Sequence, residues 1–254
     1  MVSSREDVRA LRDDLDSALE QALGPLRAPT GPLGVLFSGG VDSSLLAWEL
    51  RTRPELLLCT LGREGSPDLL AGRAGAERFG LPWQALSVEP ARLKVLVARF
   101  EKELEGISAV PRAVLVSLAL AIEQAAPDRL VCGQGADELF LGYAHYRNLG
   151  GPEAERRSRD DLDRLRESDW PRTQRIAEKA GKTILAPYLS RAFEEAARRV
   201  PVDLRLPRDL PKRFFREWAL ERGLPAELAE RPKKALQYGT GVSSLLRDQR
   251  RAER

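Results

Sequence analysis

Apolar residues recur every three or four positions over residues 3–23, at Val8, Leu11, Leu15, Leu19 and Leu23, which is the spacing of an amphipathic helix. Ser3 with Glu6 makes a capping box at its start, and Gly24-Pro25 predicts its end. From residue 33 the period changes. Short apolar runs at 34–37, 56–61, 83–88 and 130–132 read as strands, and the segments 41–51, 68–80, 91–105 and 113–126 read as helices. Strands alternating with helices predict a parallel sheet covered on both faces, with ligands at the carboxyl ends of the strands. After residue 146 the strand pattern fades. Gly150-Gly151-Pro152 reads as a linker, the segment 153–175 is densely charged, and 171–180, 189–199, 210–222, 226–230 and 242–250 read as helices. The chain thus divides into an N-terminal helix (1–28), an α/β domain (29–150) and a mostly helical part (151–254) expected to complete the site. The first helix is read as packed on the main domain, with a homodimer contact as the alternative.

Composition narrows the class. With 254 residues, 43% hydrophobic and 31% charged, the chain reads as globular rather than disordered. No apolar run approaches a membrane span and no signal-peptide order opens the chain, so the cytoplasm is the expected compartment. Cys59 and Cys132 lie in apolar runs and read as buried thiols. A single His and the absence of zinc-type spacing argue against His-based or zinc chemistry. A net charge of +3 suits a polyanion such as ATP and does not by itself argue for nucleic acid.

The chemistry concentrates at strand ends. Leu36-Phe37 is followed by Ser38-Gly39-Gly40-Val41-Asp42-Ser43-Ser44, which opens a helix. Two glycines let backbone N–H groups converge, and the helix start adds unpaired N–H groups and the positive end of its dipole. Ser38, Ser43 and Ser44 add hydroxyls. Asp42 beside bound phosphate implies a bridging Mg²⁺, because a bare carboxylate would repel the phosphate. The loop is not the G-x-x-x-x-G-K-[ST] type, since no Lys follows the glycines. Leu61 ends the second apolar run, and Gly133-Gln134-Gly135-Ala136-Asp137-Glu138 follows the fourth. Asp137 joins Asp42 as a candidate Mg²⁺ ligand. Glu138 is assigned a supporting role, at the helix start or on a metal-bound water.

Ser-Gly-Gly-Val-Asp-Ser-Ser resembles the pyrophosphate loop of the N-type ATP pyrophosphatases. Followed about ninety residues later by Gly-Gln-Gly-Ala-Asp-Glu-Leu-Phe-Leu-Gly-Tyr, it resembles the synthetase domain of asparagine synthetases in a stand-alone form. The resemblance implies an adenine-nucleotide α-hydrolase-like α/β fold. It also implies an AMP- and pyrophosphate-forming ligase that adenylates a carboxylate for attack by ammonia or another amine. ATP contacts would then come from Leu36, Ser38, Gly39, Gly40, Asp42, Ser43, Ser44, Leu61, Gly133 and Gly135. Two further basic segments, Pro211-Lys212-Arg213-Phe214-Phe215-Arg216 and 231–241 (opening Arg231-Pro232-Lys233), match places where the family carries lysines over the triphosphate, so Lys212 and Lys233 are assigned to charge stabilisation. Ile184-Leu185-Ala186-Pro187-Tyr188-Leu189 resembles the family's Pro-Phe-Leu-Asp segment, with Ser190 in place of Asp, and reads as packing.

Two departures bear on the reaction. Family members that hydrolyse glutamine begin with an N-terminal Cys, whereas this chain begins Met1-Val2. Free ammonia, another amine or a separate glutaminase subunit is therefore expected to supply nitrogen. Gln134 stands where asparagine synthetases proper carry Glu and their β-lactam-forming relatives carry Tyr; it can orient a group by hydrogen bonds but accepts no proton at neutral pH. Two alternatives follow: a tRNA-base-modifying pyrophosphatase using the Arg-rich segment 156–175 and the basic tail 247–254, or a nucleotide-binding partner that has lost catalysis.

Overall fold

A computed structural model of the chain describes residues 5–206, 210–232 and 240–252. Five strands, β1 (Leu33–Leu36), β2 (Leu56–Gly62), β3 (Trp83–Ser87), β4 (Arg129–Val131) and β5 (Thr183–Leu185), form one sheet in the order β3-β2-β1-β4-β5. Every pairing is parallel, as the strand–helix alternation predicts. Chain order runs outward from β1 in two directions, so β1 and β4 flank the point where the topology reverses. Their carboxyl ends splay apart there and leave a crevice.

Helices cover both faces. On one face lie α1 (Arg5–Arg27), α2 (Val41–Leu50) and α3 (Pro67–Phe79); on the other lie α4 (Pro90–Arg99), a single turn α5 (Glu101–Leu104) and the long α6 (Ala109–Gln124). The period-2 alternation of β2 explains the split: Leu56 and Leu58 join the core under α1 and α2, while Cys59 and Leu61 join the core under α6.

α1 continues past Gly24-Pro25 to Arg27. A Pro in the last turn forfeits a single helical hydrogen bond, and burial of Leu26 at 2% exposure keeps the turn in place. The predicted helix at 91–105 is two pieces, α4 and α5, joined at Phe100, whose side chain is fully buried.

After the one-turn α7 (Ala136–Leu139), Gly150-Gly151-Pro152 is no linker. It starts α8 (Gly151–Arg164), with Pro at the N-terminal position where its missing N–H costs nothing. A π-helical turn, Leu165–Asp169, leads into α9 (Trp170–Lys179). The segment read only as packing supplies β5 and the turn Pro187–Leu189. Then come α10 (Arg191–Arg199), α11 (Val202–Arg205), α12 (Arg213–Glu221), α13 (Ala226–Ala229) and a last helix, Val242–Ala252. No helix among the described residues is long and apolar enough to cross a membrane.

Candidate active site

The loop after β1 is built by its own side chains. Ser38 N–H donates to Ser43 Oγ at 3.1 Å, and Ser43 Oγ donates to Gly40 O at 3.2 Å, so the turn is tied to the first turn of α2. Gly39 has φ 68° and lies against the Ala71 backbone, where a Cβ would stand 3.0 Å away. Ser44 is fully buried and lines neither of the two cavities described below, so of the three predicted hydroxyls Ser38 and Ser43 line the site.

Asp42 from α2 and Asp137 from α7 meet. Between them stands Lys212, whose Nζ lies 2.5 and 2.6 Å from the two oxygens of Asp42 and 2.5 Å from Asp137 Oδ1. Lys212 is at the N-cap of α12 with φ 60°, a left-handed conformation rare for a side-chain-bearing residue, and its side chain has no solvent exposure. Burial acts to lower its pKa, but Asp137 and Asp42 outweigh it and hold the ammonium above its ordinary range. Gly142 packs directly against Asp137 and Lys212, in space that a Cβ would fill.

These acids lie where two cavities meet. The smaller, about 120 Å³, is lined by Ser38, Gly40 and the cations Lys212, Arg216 and Arg231. Arg231 donates to Ser38 O at 2.7 Å and pairs with buried Asp68, while Arg216 donates to Pro211 O and to Arg231 O. The larger cavity, about 440 Å³, is lined by Leu36, Cys59, Leu61, Cys132, Gly133, Gln134 and Gly135, by α6, and by residues of α8 and α9. Ser38, Asp42 and Asp137 face both. Burial pushes the Cys59 and Cys132 thiols up to about 12. Gln134 Oε1 is buried with no hydrogen-bond partner among the described residues. Glu138 accepts from Tyr143 Oη at 2.6 Å.

Most of the predicted residues therefore converge. Leu36, Ser38, Asp42, Ser43, Leu61, Gly133, Gln134, Gly135 and Asp137 line the larger cavity, Gly40 and Lys212 the smaller. Lys233 and Ser3 lie outside the described residues. Sequence reasoning missed Arg216 and Arg231 although it singled out their segments. It also missed Tyr188, whose hydroxyl donates to Asp42 O at 2.9 Å and braces the start of α2. Its only signal was an aromatic residue in an apolar run, which reads as core.

The donor set suits Mg²⁺. Among the described residues no group of three or more His, Cys, Asp or Glu side chains gathers as a metal cage. Two carboxylates already spaced around one positive charge are the hard oxygen donors that Mg²⁺ takes from a protein when phosphate and water complete its shell.

A family model described as asparagine synthase matches residues 14–180 and 149–253. The chain is 31% identical over 227 residues to an asparagine synthetase (glutamine-hydrolyzing) of Pongo abelii, covering 84% of this chain and 40% of that protein. It is 29% identical over 253 residues to the Bos taurus protein of the same name, covering 94% and 45%. The chain thus spans half or less of the length of the curated relatives it matches. Among solved structures, an NMN synthetase from Francisella tularensis aligns over 94% of this chain and 86% of its own, at a TM-score of 0.47 and 12% identity.

Proposed function

The chain belongs to the asparagine synthase family, and from that premise we propose that it is an ATP-dependent, AMP-forming carbon–nitrogen ligase. The observation that carries this reading is the junction of two unlike cavities at Ser38, Asp42 and Asp137, one lined by three cations set among the carboxylates of Asp42, Asp68 and Asp137, the other largely apolar. A nucleotide with its α-phosphate at that junction would place its outer phosphates among Lys212, Arg216 and Arg231 and its base near Leu36 and Leu61. An oxygen of the acceptor carboxylate attacks the α-phosphorus, and the bond to the bridging oxygen of pyrophosphate breaks. The three fixed cations oppose the charge that gathers on the leaving group, without reorganisation at the moment of reaction. An amine then attacks the acyl carbon and AMP departs. Mg²⁺, when bound by Asp42 and Asp137, would supply further charge neutralisation on the phosphates.

Gln134 fits the second half-reaction as an orienting group. Its unpartnered amide oxygen accepts an N–H of ammonia or an amine and aims the nitrogen lone pair at the acyl carbon. The proton leaves by another route, since an amide takes none.

Pyrophosphate release from ATP and Mg²⁺ with a panel of carboxylic acids, aspartate first, tests this. The expected result is acid-dependent release and, once ammonia or another amine is added, one ¹⁸O passing from a labelled carboxylate to AMP. ATP binding with no acid in a broad panel provoking release would overturn the proposal.

A further inference from the structure

The larger cavity also has lining residues unlike those assigned to the nucleotide. Its lining includes Arg157 and Arg164 of α8, His145, and an apolar wall of Val110, Val114 and Leu118 from α6. The two arginines gather around one carboxylate, Asp161, which is 2% exposed. That carboxylate is already taken at closer range, by Tyr146 Oη at 2.8 Å and His145 Nε2 at 2.9 Å. Arg157 stands 3.4 Å from it on one oxygen and Arg164 3.4 Å on the other, and Arg164 is 3.9 Å from Asp169.

Among the described residues neither guanidinium completes a hydrogen bond, and both side chains keep about half their surface open, at 49% and 50%. Other arginines near the core differ: Arg205, Arg216 and Arg222 each have several N–H groups taken. Asp161 and Asp169 balance the charge of Arg157 and Arg164, so what this part of the lining offers is not net charge but two planar guanidiniums held only by ion pairs at 3.4 Å or longer. Such forks match the paired oxygens of a carboxylate or phosphate.

On the reading of the site as an adenylating one, we propose that the acceptor acid carries a second anionic group across an apolar spacer. Arg157 and Arg164 take that second anion, carboxylate or phosphate. The spacer covers Val110, Val114 and Leu118, and the first carboxylate is thereby presented to the nucleotide. A compact polar acid would leave that wall wet and the two forks unused.

The experiment pairs acids of equal length. Succinate, adipate and suberate are compared with butyrate, hexanoate and octanoate, and ω-phosphonocarboxylates separate a phosphate-type second anion from a carboxylate. Two readouts are taken: pyrophosphate release, and calorimetric binding in the presence of a non-hydrolysable ATP analogue. For the wild-type chain, adipate or suberate is expected to outdo its monocarboxylate partner by about tenfold or more in KM and Kd. Arg157→Gln and Arg164→Gln each reduce that ratio, and the double variant brings it near one. Arg157→Lys with Arg164→Lys, which keeps the charge without the fork, leaves a reduced ratio; ATP binding confirms that each variant is folded.

Equal performance of mono- and dianions, or a ratio unchanged in the double glutamine variant, would overturn the proposal. Arginine-dependent dianion binding without pyrophosphate release from any acid would sink the adenylation reading and leave the anion site standing. Release without a dianion preference would do the reverse.

Discussion

Lys212 shows how one residue can hold a site together before any ligand arrives. Two carboxylates facing each other in a part-buried place repel, and its ammonium removes that repulsion at the cost of a strained backbone and full burial. Lys212→Met should therefore cost about 3 kcal/mol, the order found when one partner of a buried ion pair is removed. Millimolar Mg²⁺ should restore part of the lost Tm in the variant and do little for the wild type. Equal Tm for variant and wild type without Mg²⁺ would show that the ammonium is not what holds the two acids together.

The two thiols make a second case at this scale. With both raised from 9.0 to about 12 by burial, only about one molecule in ten thousand carries a given thiolate at pH 8. A thiol reagent should leave the native chain unlabelled there and label both sites after denaturation. The linkage has a definite sign. Below pH 9 the thiols are protonated folded or unfolded and contribute no slope; from about 9 to 12 the unfolded chain releases protons that the fold retains, so stability falls as pH rises. Cys59→Ala with Cys132→Ala should flatten that alkaline loss, as read from urea midpoints at pH 9 and 10.5.

Among the elements, the turn after α7 leaves no room for a side chain at Gly142. Gly142 N–H donates to Asp137 O at 2.8 Å, and the space beside its Cα is occupied by the Asp137 carboxylate and the Lys212 stem. Gly142→Ala forces that pair to move. Overpacking of this kind costs about 1–3 kcal/mol, and it should lower pyrophosphate release far more than Tm; wild-type release in the variant would mean that the pair relocates freely.

How far these elements can be read from sequence depends on how local their causes are. The loops after β1 and β4 are legible because an apolar run, glycines and a helix start stand side by side, and the same signals carry Asp42 and Asp137. β5 is hidden because three residues between two helices carry no periodicity, and its place at the sheet edge is decided by pairing with β4. α8 reads as a charged linker because Gly-Pro at a helix start and Gly-Pro at a break are the same letters. Lys212 stands out only by likeness to the family. Its partners lie 170 residues away in the case of Asp42, and no local pattern encodes a contact of that range.

At the scale of the whole molecule, the cations of the smaller cavity depend on how the C-terminal helices are fastened to the N-terminal one. Lys212 is the N-cap of α12, which carries Arg216 and is followed at once by Arg222. Arg222 pairs with Asp16 at 2.6 Å, Glu20 at 2.7 Å and Glu49 at 2.8 Å, while Trp218 of α12 donates to Asp16 at 2.8 Å. Three acids from α1 and α2 thus converge on one guanidinium that joins both helices to α12. Glu49 is 9% exposed, so removing its closer cation leaves a nearly buried carboxylate with Arg27 alone at 3.1 Å. Asp16 and Glu20 are about two-fifths exposed, and screening by water discounts their share. Arg222→Met keeps the stem packing and deletes the fork, for an expected loss of about 2 kcal/mol and a fall in Tm of roughly 4–8 °C. Because α12 positions Lys212 and Arg216, the same variant should weaken ATP binding although it lies outside both cavities. Thermal denaturation together with ATP titration checks both parts. A lowered Tm with unchanged ATP affinity would mean that the crevice holds its shape without this fastening, and an unchanged Tm would mean that the network contributes no net stability.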